Sequence, residues 1–171
     1  MYIPENIINE IDKNADPLDN SYFNHALPAL NAINKVDSES FCYDDLSRAA
    51  NVLERLYKGF LQAAVVKTEW YQLPYEKFLV EDHDILGMLK EIKRNFPEAF
   101  PRQDYNTWRA TQSFLIELRQ AYSFSRYTTY PTYEEFDKVR KYVNHQKDII
   151  VEFIKEGGLE ENRDTELKED Y

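Results

Sequence analysis

Apolar residues recur at intervals of three and four along most of the chain, which is the spacing of amphipathic helices. No strand-like alternation extends over any length. The pattern predicts an all-α fold, an antiparallel bundle of four to five helices over residues 16–157. A short accessory helix or strap is predicted over residues 1–15, and the acidic tail over 158–171 is predicted to be disordered.

Capping residues set the expected limits of the first two helices. Asp19 or Asn20 is placed to cap a helix that ends near Lys35. The sequence DSES at 37–40 is a start signal for a second helix, whose apolar positions continue to about Thr68. Both helices carry a continuous apolar stripe, as a bundle requires.

Prolines and caps mark the limits of the later helices. Asp82 is predicted to cap a short third helix that ends before Pro97, and a fourth helix starts at about Asp104. The sequence TYEE at 132–135 has the spacing of a capping box and predicts a fifth helix. A glycine pair that begins at Gly157 closes this last helix.

Composition excludes several classes of function. The 171 residues carry 21 Lys plus Arg against 31 Asp plus Glu, a formal charge of −10, which argues against a protein that coats duplex nucleic acid. The 4 glycines form no Gly-rich phosphate loop, so P-loop and Rossmann chemistry is excluded. Cys42, the single cysteine, rules out an internal disulfide and is expected to be buried. The lack of a long apolar segment predicts a cytoplasmic protein without a membrane partner.

One helical stripe concentrates the chemistry of a binding site. Arg119, Tyr122 and Arg126 lie at i, i+3 and i+7, so they share one face of a helix. Guanidinium groups suit a phosphate and an aromatic ring stacks on a base, which predicts a nucleotide or RNA site. The alternative is that both arginines pair with acidic residues of neighbouring helices.

The second helix offers an opposite wall for the same groove. Arg48 and Arg55 lie on one stripe, and Lys58 stands near them. Their ordinary role would be ion pairs with acidic neighbours on the surface, each of which contributes less than about 1 kcal/mol.

The histidines indicate no metal site. His83 follows Glu81 and Asp82 and precedes Asp84, yet four adjacent residues at a helix start cannot converge on one ion. Capping by the acids is therefore favoured, with His83 packed or hydrogen-bonded at the helix terminus. His25 is expected to be structural or exposed. Neither a metal nor a cofactor is predicted.

The order and spacing of three segments resemble the HEPN domain family, a helical nucleotide-associated domain. Glu54 and Lys58 stand in the places of the recurring Glu and Lys of the family's second helix. An Arg-Tyr step, here Arg126 and Tyr127, looks like the junction of the family's closing pair of helices. The three segments are SRAANVLERLYKGFLQAAV at 47–65, DHDILGMLKEIKRNFPE at 82–98 and the closing pair at 115–154.

The resemblance implies a non-catalytic module that binds a nucleotide or a short RNA. Alternatively, the resemblance implies that the chain acts beside a nucleotidyltransferase-type protein, as similar domains do. A homodimer is expected. The residues that would bind the ligand are Arg119, Tyr122, Arg126, Tyr127, Arg55 and Lys58.

Two other functions remain open. Many HEPN members resemble metal-independent ribonucleases of toxin or defence type, with an Arg followed four to six residues later by a His. Arg140 and His145 have this spacing, but they fall inside the last helix and are turned about 140° apart on it. The other alternative is a helical interaction module that forms a homodimer and binds no small ligand.

Overall fold

The computed structural model describes residues 16–68, 83–120 and 131–160. Every regular element in these ranges is a helix, which confirms the prediction of an all-α bundle. The predicted accessory segment over 1–15 lies outside the described residues, as does the predicted disordered tail from 161 onward. The prediction of disorder is wrong for the first residues of that tail, because 158–160 are helical and Leu159 is fully buried in the core. The five helices are α1 (Ser21–Ile33), α2 (Asp44–Thr68), α3 (Ile85–Asn95), α4 (Tyr105–Gln120) and α5 (Tyr133–Lys155).

Helix α2 lies at the centre of the bundle. It packs against α1, α3 and α5, and α3 in turn packs against α4. Its apolar side chains are therefore buried around most of its circumference, and burial of each large one stabilises the fold by about 1.5–3 kcal/mol. Each of the five helices, or the segment that directly follows it, contributes a fully buried large side chain to this core: Phe23, Tyr57, Phe60, Phe96, Leu115 and Phe136.

Helices α1 and α2 are antiparallel and closely packed. Asn20, which caps the start of α1, donates through Nδ2 to the main-chain oxygen of Gly59 in the second half of α2, at 3.1 Å. At the other end of α1, Ile33 lines a surface cleft together with Asp45, near the start of α2. The glycine permits the close approach, because a Cβ at Gly59 would come within 2.8 Å of the Phe23 ring.

Two helix starts agree with the capping predictions. The Asn20 side chain accepts the N–H groups of Tyr22 and Phe23, each at 3.1 Å. Thr132 Oγ1 accepts the N–H of Glu135 at 3.2 Å, and the Glu135 carboxylate accepts the N–H of Thr132 at 3.4 Å. The predicted capping box of α5 is therefore confirmed. The fifth helix also ends as predicted, before a glycine pair whose first member, Gly157, has a φ of 77°.

Two other helix starts differ from the predictions. Asp37 does not cap α2, because its carboxylate accepts the N–H of Ser40 at 2.9 Å and closes a separate turn; α2 begins later, at Asp44. The N-cap of α3 is Asp84 rather than Asp82, since the Asp84 carboxylate accepts a backbone N–H of the first turn of the helix.

The segment between α1 and α2 also corrects the prediction for the single cysteine. Cys42 is exposed rather than buried. Its backbone N–H donates to Asp45 Oδ2 at 2.9 Å, so the residue belongs to the first turn leading into α2 and not to the core.

Candidate functional site

The predicted binding residues divide between described and undescribed parts of the chain. Arg119 is exposed at the end of α4. Tyr122, Arg126 and Tyr127 lie outside the described residues, so the predicted stripe on this helix stays a prediction. The other two residues, Arg55 and Lys58, line one cleft.

This cleft, which we call the Glu54 cleft, lies between the first half of α1, the middle of α2 and the segment just before α3. It encloses about 380 Å³. Its position follows from the packing of α1 against α2, which brings residues more than 25 positions apart in sequence to one surface. The lining residues are Ser21, Tyr22, His25, Asn51, Glu54, Arg55, Lys58 and His83.

A buried carboxylate organises the floor of the cleft. Glu54 is only 2% exposed, and its Oε1 atom lies 2.9 Å from Lys58 Nζ and 2.8 Å from His83 Nδ1. Lys58 lies one helical turn after Glu54 and is itself buried. A buried carboxylate is tolerated only when it is paired and hydrogen-bonded, and here Lys58 and His83 are its partners. Lys58 therefore pairs with an acidic neighbour of its own helix, as the ordinary interpretation predicts, but the pair is buried rather than on the surface.

Arg55 occupies a different position from Lys58. It follows Glu54 directly, so it is turned about 100° around the helix from the carboxylate. Its side chain is half-buried and lines the Glu54 cleft. Within the part of the chain that the structure describes, Arg55 forms no ion pair. Its guanidinium is therefore the cation of this cleft that is not neutralised by a described acidic neighbour.

The first helix supplies the opposite wall. Tyr22 and His25 lie at i and i+3, so they share one face of α1. Tyr22 is half-buried, and burial, followed by the negative charge of Glu54, raises its pKa, while the charge of Arg55 acts in the opposite direction. The Tyr22 phenol therefore stays protonated at neutral pH and can donate a hydrogen bond.

His83 is hydrogen-bonded at the start of α3, as predicted. Its partner is Glu54 on α2 rather than an adjacent acid, and 58% of its side chain is exposed. Glu81 and Asp82 lie outside the described residues. Among residues 16–68, 83–120 and 131–160, no group of three or more His, Cys, Asp or Glu side chains is arranged to hold a metal ion.

Arg140, one of the two candidate catalytic residues, is engaged by its own chain. Its Nη1 donates to the main-chain oxygens of Ile33 and Val36, at 3.0 and 2.5 Å. Its Nη2 donates to the Tyr133 hydroxyl at 3.1 Å and to Asp137 Oδ1 at 2.6 Å. The guanidinium therefore adds a second donor to the Ile33 oxygen at the C-terminal end of α1, which also accepts the N–H of Val36 at 3.2 Å, and it supplies a donor to the Val36 oxygen just beyond that helix.

His145, the other candidate, is exposed on α5. It lies five positions after Arg140 in a regular helix, so the two side chains do not share a face. The structure thus gives Arg140 a part in joining α5 to α1, because Nη1 and Nη2 together donate to four acceptors of the same chain.

Sequence reasoning missed the wall that α1 contributes. Nothing in the spacing of Tyr22 or His25 relates them to α2, because only tertiary packing brings them there. One signal was available: Glu54 and Lys58 stand four residues apart on a helix whose neighbouring positions, such as Leu53 and Tyr57, are apolar or aromatic. A polar pair embedded in a buried face indicates an ion pair inside the structure.

Comparisons with known proteins give no match: no family model, no curated protein and no solved structure is similar to the chain. Among the described residues, no helix is both long and apolar enough to cross a membrane. The resemblance to the HEPN family therefore rests on the sequence segments alone.

Proposed function

We propose that the chain is a non-catalytic helical module that binds a nucleotide or a short RNA in the Glu54 cleft. One observation carries the proposal. Arg55 lines a cleft in which the buried Glu54 carboxylate already has two partners, because it accepts hydrogen bonds from Lys58 and from His83.

The phosphate would be held by Arg55. A guanidinium offers planar, forked donors that match two phosphate oxygens, and a hydrogen bond to a charged group contributes about 1.5–3 kcal/mol. Lys58 is less suited to bind the phosphate, since its charge is compensated by Glu54 at 2.9 Å. The closed ionic cluster instead fixes the position of α2 beneath the ligand.

The base and sugar would meet the side chains of α1 and the preceding turn of α2. Tyr22 and His25 are flat rings on one face of α1, and such rings stack on a nucleobase. Ser21 and Asn51 add a hydroxyl and an amide to the lining, which are groups that hydrogen-bond to ribose hydroxyls and base edges. An apolar ligand would find few apolar side chains in this lining.

The surroundings of Arg140 favour binding over ribonuclease activity. A ribonuclease of the kind implied by the HEPN resemblance needs an arginine free to reach the scissile phosphate. The Arg140 fork donates instead to two main-chain oxygens, a phenol and a carboxylate. We therefore place the ligand at the Glu54 cleft and assign no catalytic residue.

A matched pair of arginine variants tests the proposal. Arg55→Ala removes the unneutralised cation of the cleft, whereas Arg48→Ala removes the same charge two turns earlier on α2, where Arg48 is exposed and paired with Asp45 at 3.0 Å. Binding of AMP and of a short single-stranded RNA is measured by the shift of the thermal midpoint. We expect Arg55→Ala to weaken binding by about tenfold to a hundredfold and Arg48→Ala to leave it nearly unchanged.

Other results would reject the proposal. Equal losses in the two variants would mean general charge attraction, and no midpoint shift with either ligand would favour an interaction module without a small ligand. Degradation of the RNA without added metal, abolished by His145→Ala, would establish the ribonuclease alternative.

A further inference from the structure

A second cleft, which we call the Lys90 cleft, lies between the end of α3 and the start of α4. It encloses about 680 Å³. Pro97 and Pro101 lie in the connection that turns the chain back, so that the start of α4 stands beside the end of α3. The charged and aromatic residues lining it are Lys90, Lys93, Arg94, Arg102, Tyr105 and Trp108.

The charge of this cleft is opposite to that of the chain as a whole. Four cations line it and no acidic residue does, although the formal net charge of the protein is −10. Within the part of the chain that the structure describes, Lys90, Arg94 and Arg102 form no ion pair. The acid next to the cleft, Asp104, is occupied as the cap of α4, because its carboxylate accepts the N–H and the hydroxyl of Thr107 at 2.9 and 2.7 Å.

Some of this charge has an ordinary structural cause. Lys93 and Arg94 lie in the last turn of α3, where cations interact favourably with the helix dipole. That effect does not explain Arg102, which lies beyond the helix, and it requires no aromatic ring. A cleft whose lining holds four cations and no carboxylate is an arrangement that attracts a polyanion.

Two aromatic rings stand among these cations. Tyr105 is 72% exposed, and the Arg109 guanidinium lies 5.7 Å from its ring centre. Trp108 is half-buried, with Lys93 Nζ 4.3 Å from its ring centre. Lys93 also donates to Gln103 Oε1 at 3.2 Å, so the Trp108 side of the cleft is held in place.

We propose that the Lys90 cleft binds the base and phosphate of a nucleotide unit, with the base stacked on Tyr105 and the phosphate held by Lys90, Arg94 and Arg102. Stacking on an exposed ring accepts any base, and cations on either side follow the backbone. The ligand class is the one proposed for the Glu54 cleft, and the inference rests on that proposal for the class alone, since the residues are different.

Tryptophan emission provides a probe at the cleft itself. The chain has 2 tryptophans, so Trp70→Phe leaves Trp108 as the single indole. In this background, AMP and a short single-stranded RNA are titrated separately, and a saturable change of Trp108 emission is expected. Saturation by AMP at concentrations similar to those of RNA identifies a mononucleotide site, whereas a response to RNA alone identifies a site for single-stranded RNA; both support the proposal.

Two cleft variants and one control complete the experiment. Tyr105→Ala removes the exposed ring, and the double variant Lys90→Gln/Arg94→Gln removes two unpaired charges; Lys138→Gln removes an exposed charge from α5. We expect both cleft variants to weaken the binding detected by Trp108 emission at least tenfold and the control to leave it unchanged, with helicity checked by circular dichroism. The double variant should also reduce the salt dependence of RNA binding, log K against log salt, by about 1.4.

The outcomes separate this inference from the proposed function. A Trp108 emission change that survives both cleft variants, or that Lys138→Gln weakens equally, overturns the Lys90 cleft. A Trp108 response lost in the cleft variants, together with a thermal-midpoint titration that Arg55→Ala leaves unchanged, supports the Lys90 cleft and rejects the Glu54 cleft. No emission change and no binding with either probe overturns both.

Discussion

The two ends of α1 carry ionic clusters that differ in what their charged groups contact. The N-terminal end faces the Glu54 cleft, and the C-terminal end is held by Arg140, about 20 Å away along a helix of 13 residues. At the Arg140 end, Nη1 and Nη2 of the arginine donate hydrogen bonds to four acceptors of the same chain. At the Glu54 end, one carboxylate contacts both Lys58 and His83, and Arg55 does not belong to this cluster.

The difference shows that a basic residue beside a helix end is not by itself a binding site. Main-chain oxygens at the end of α1 accept hydrogen bonds from Arg140. A ligand at Arg140 would have to displace these hydrogen bonds. In the Glu54 cleft the need is that of a buried carboxylate, which Lys58 and His83 already meet. A ligand at Arg55 would displace no hydrogen bond of the described residues.

The largest effect is expected from the buried carboxylate. Glu54→Gln leaves the ammonium of Lys58 buried without its counter-charge, which should lower the free energy of unfolding by about 3–5 kcal/mol. Urea denaturation measures it. The double variant Glu54→Gln/Lys58→Met, which also removes the ammonium, should recover most of the loss. A loss below about 1 kcal/mol in the single variant would show that the cluster behaves as an exposed pair.

A smaller loss is expected at the opposite end of α1. Arg140→Ala removes donors from two main-chain oxygens and from Asp137. The Ile33 oxygen keeps the N–H of Val36, so the Val36 oxygen is the main-chain acceptor that loses its described partner, and an unsatisfied group of this kind costs about 1–3 kcal/mol when buried. Because the site is only partly buried, we expect a total of about 2–3 kcal/mol by urea denaturation. Nucleotide affinity should not change. If Arg140→Ala kept its stability but lost a ribonuclease activity of the parent chain, the Arg140 end of α1 would be the functional site and not a structural cluster.

Much of the fold follows from local patterns in the sequence. The period of apolar residues predicts the helices, and the Asn20 cap and the Thr132 capping box fix two of their starts within a residue. The start of α2 was misplaced for a local reason as well. Asp37 and Ser40 bond to each other in a turn, which is the same chemistry that caps a helix.

The sites were harder to predict, because their partners are distant in sequence or belong to the main chain. The Glu54–Lys58 pair is visible as a spacing of four, but its third member, His83, comes from another segment. The partners of Arg140 include two carbonyl oxygens more than 100 residues away, and a main-chain oxygen has no signature in a sequence. The Arg140–His145 spacing therefore suggested chemistry where the fold required a hydrogen-bond donor.

The pH dependence of stability distinguishes the two kinds of hydrogen-bond acceptor of Arg140, the titratable carboxylate of Asp137 and the main-chain oxygens. The hydrogen bond from Arg140, followed by that from Lys141, holds the pKa of Asp137 below the ordinary value of 3.8. The ionised carboxylate therefore contributes stability above about pH 4, and this contribution is lost as the pH falls through the lower pKa of the folded state. We expect Asp137→Asn to be less stable than the parent chain at pH 6 and equally stable at strongly acid pH, as measured by urea denaturation.

The same titration gives a control within the cluster. Arg140→Ala should keep part of its deficit in acid, because main-chain oxygens do not titrate. An Asp137→Asn deficit that stayed constant down to acid pH would mean that packing, rather than the charge of Asp137, stabilises this end of α1.

The smallest stability effect should come from an exposed partner at each end. His83 pairs with Glu54 and is 58% exposed, while Lys141 pairs with Asp137 at 2.9 Å and is 77% exposed. Because water screens both pairs, His83→Ala and Lys141→Ala should each lower the free energy of unfolding by less than about 1 kcal/mol.

The effects of these two variants on AMP affinity should nevertheless differ. His83 lines the Glu54 cleft and holds its carboxylate, so its loss should weaken AMP binding, whereas Lys141 supports only a structural cluster and its loss should not. Equal AMP affinities of the two variants in thermal-shift titrations would remove the functional distinction between the two ends of α1.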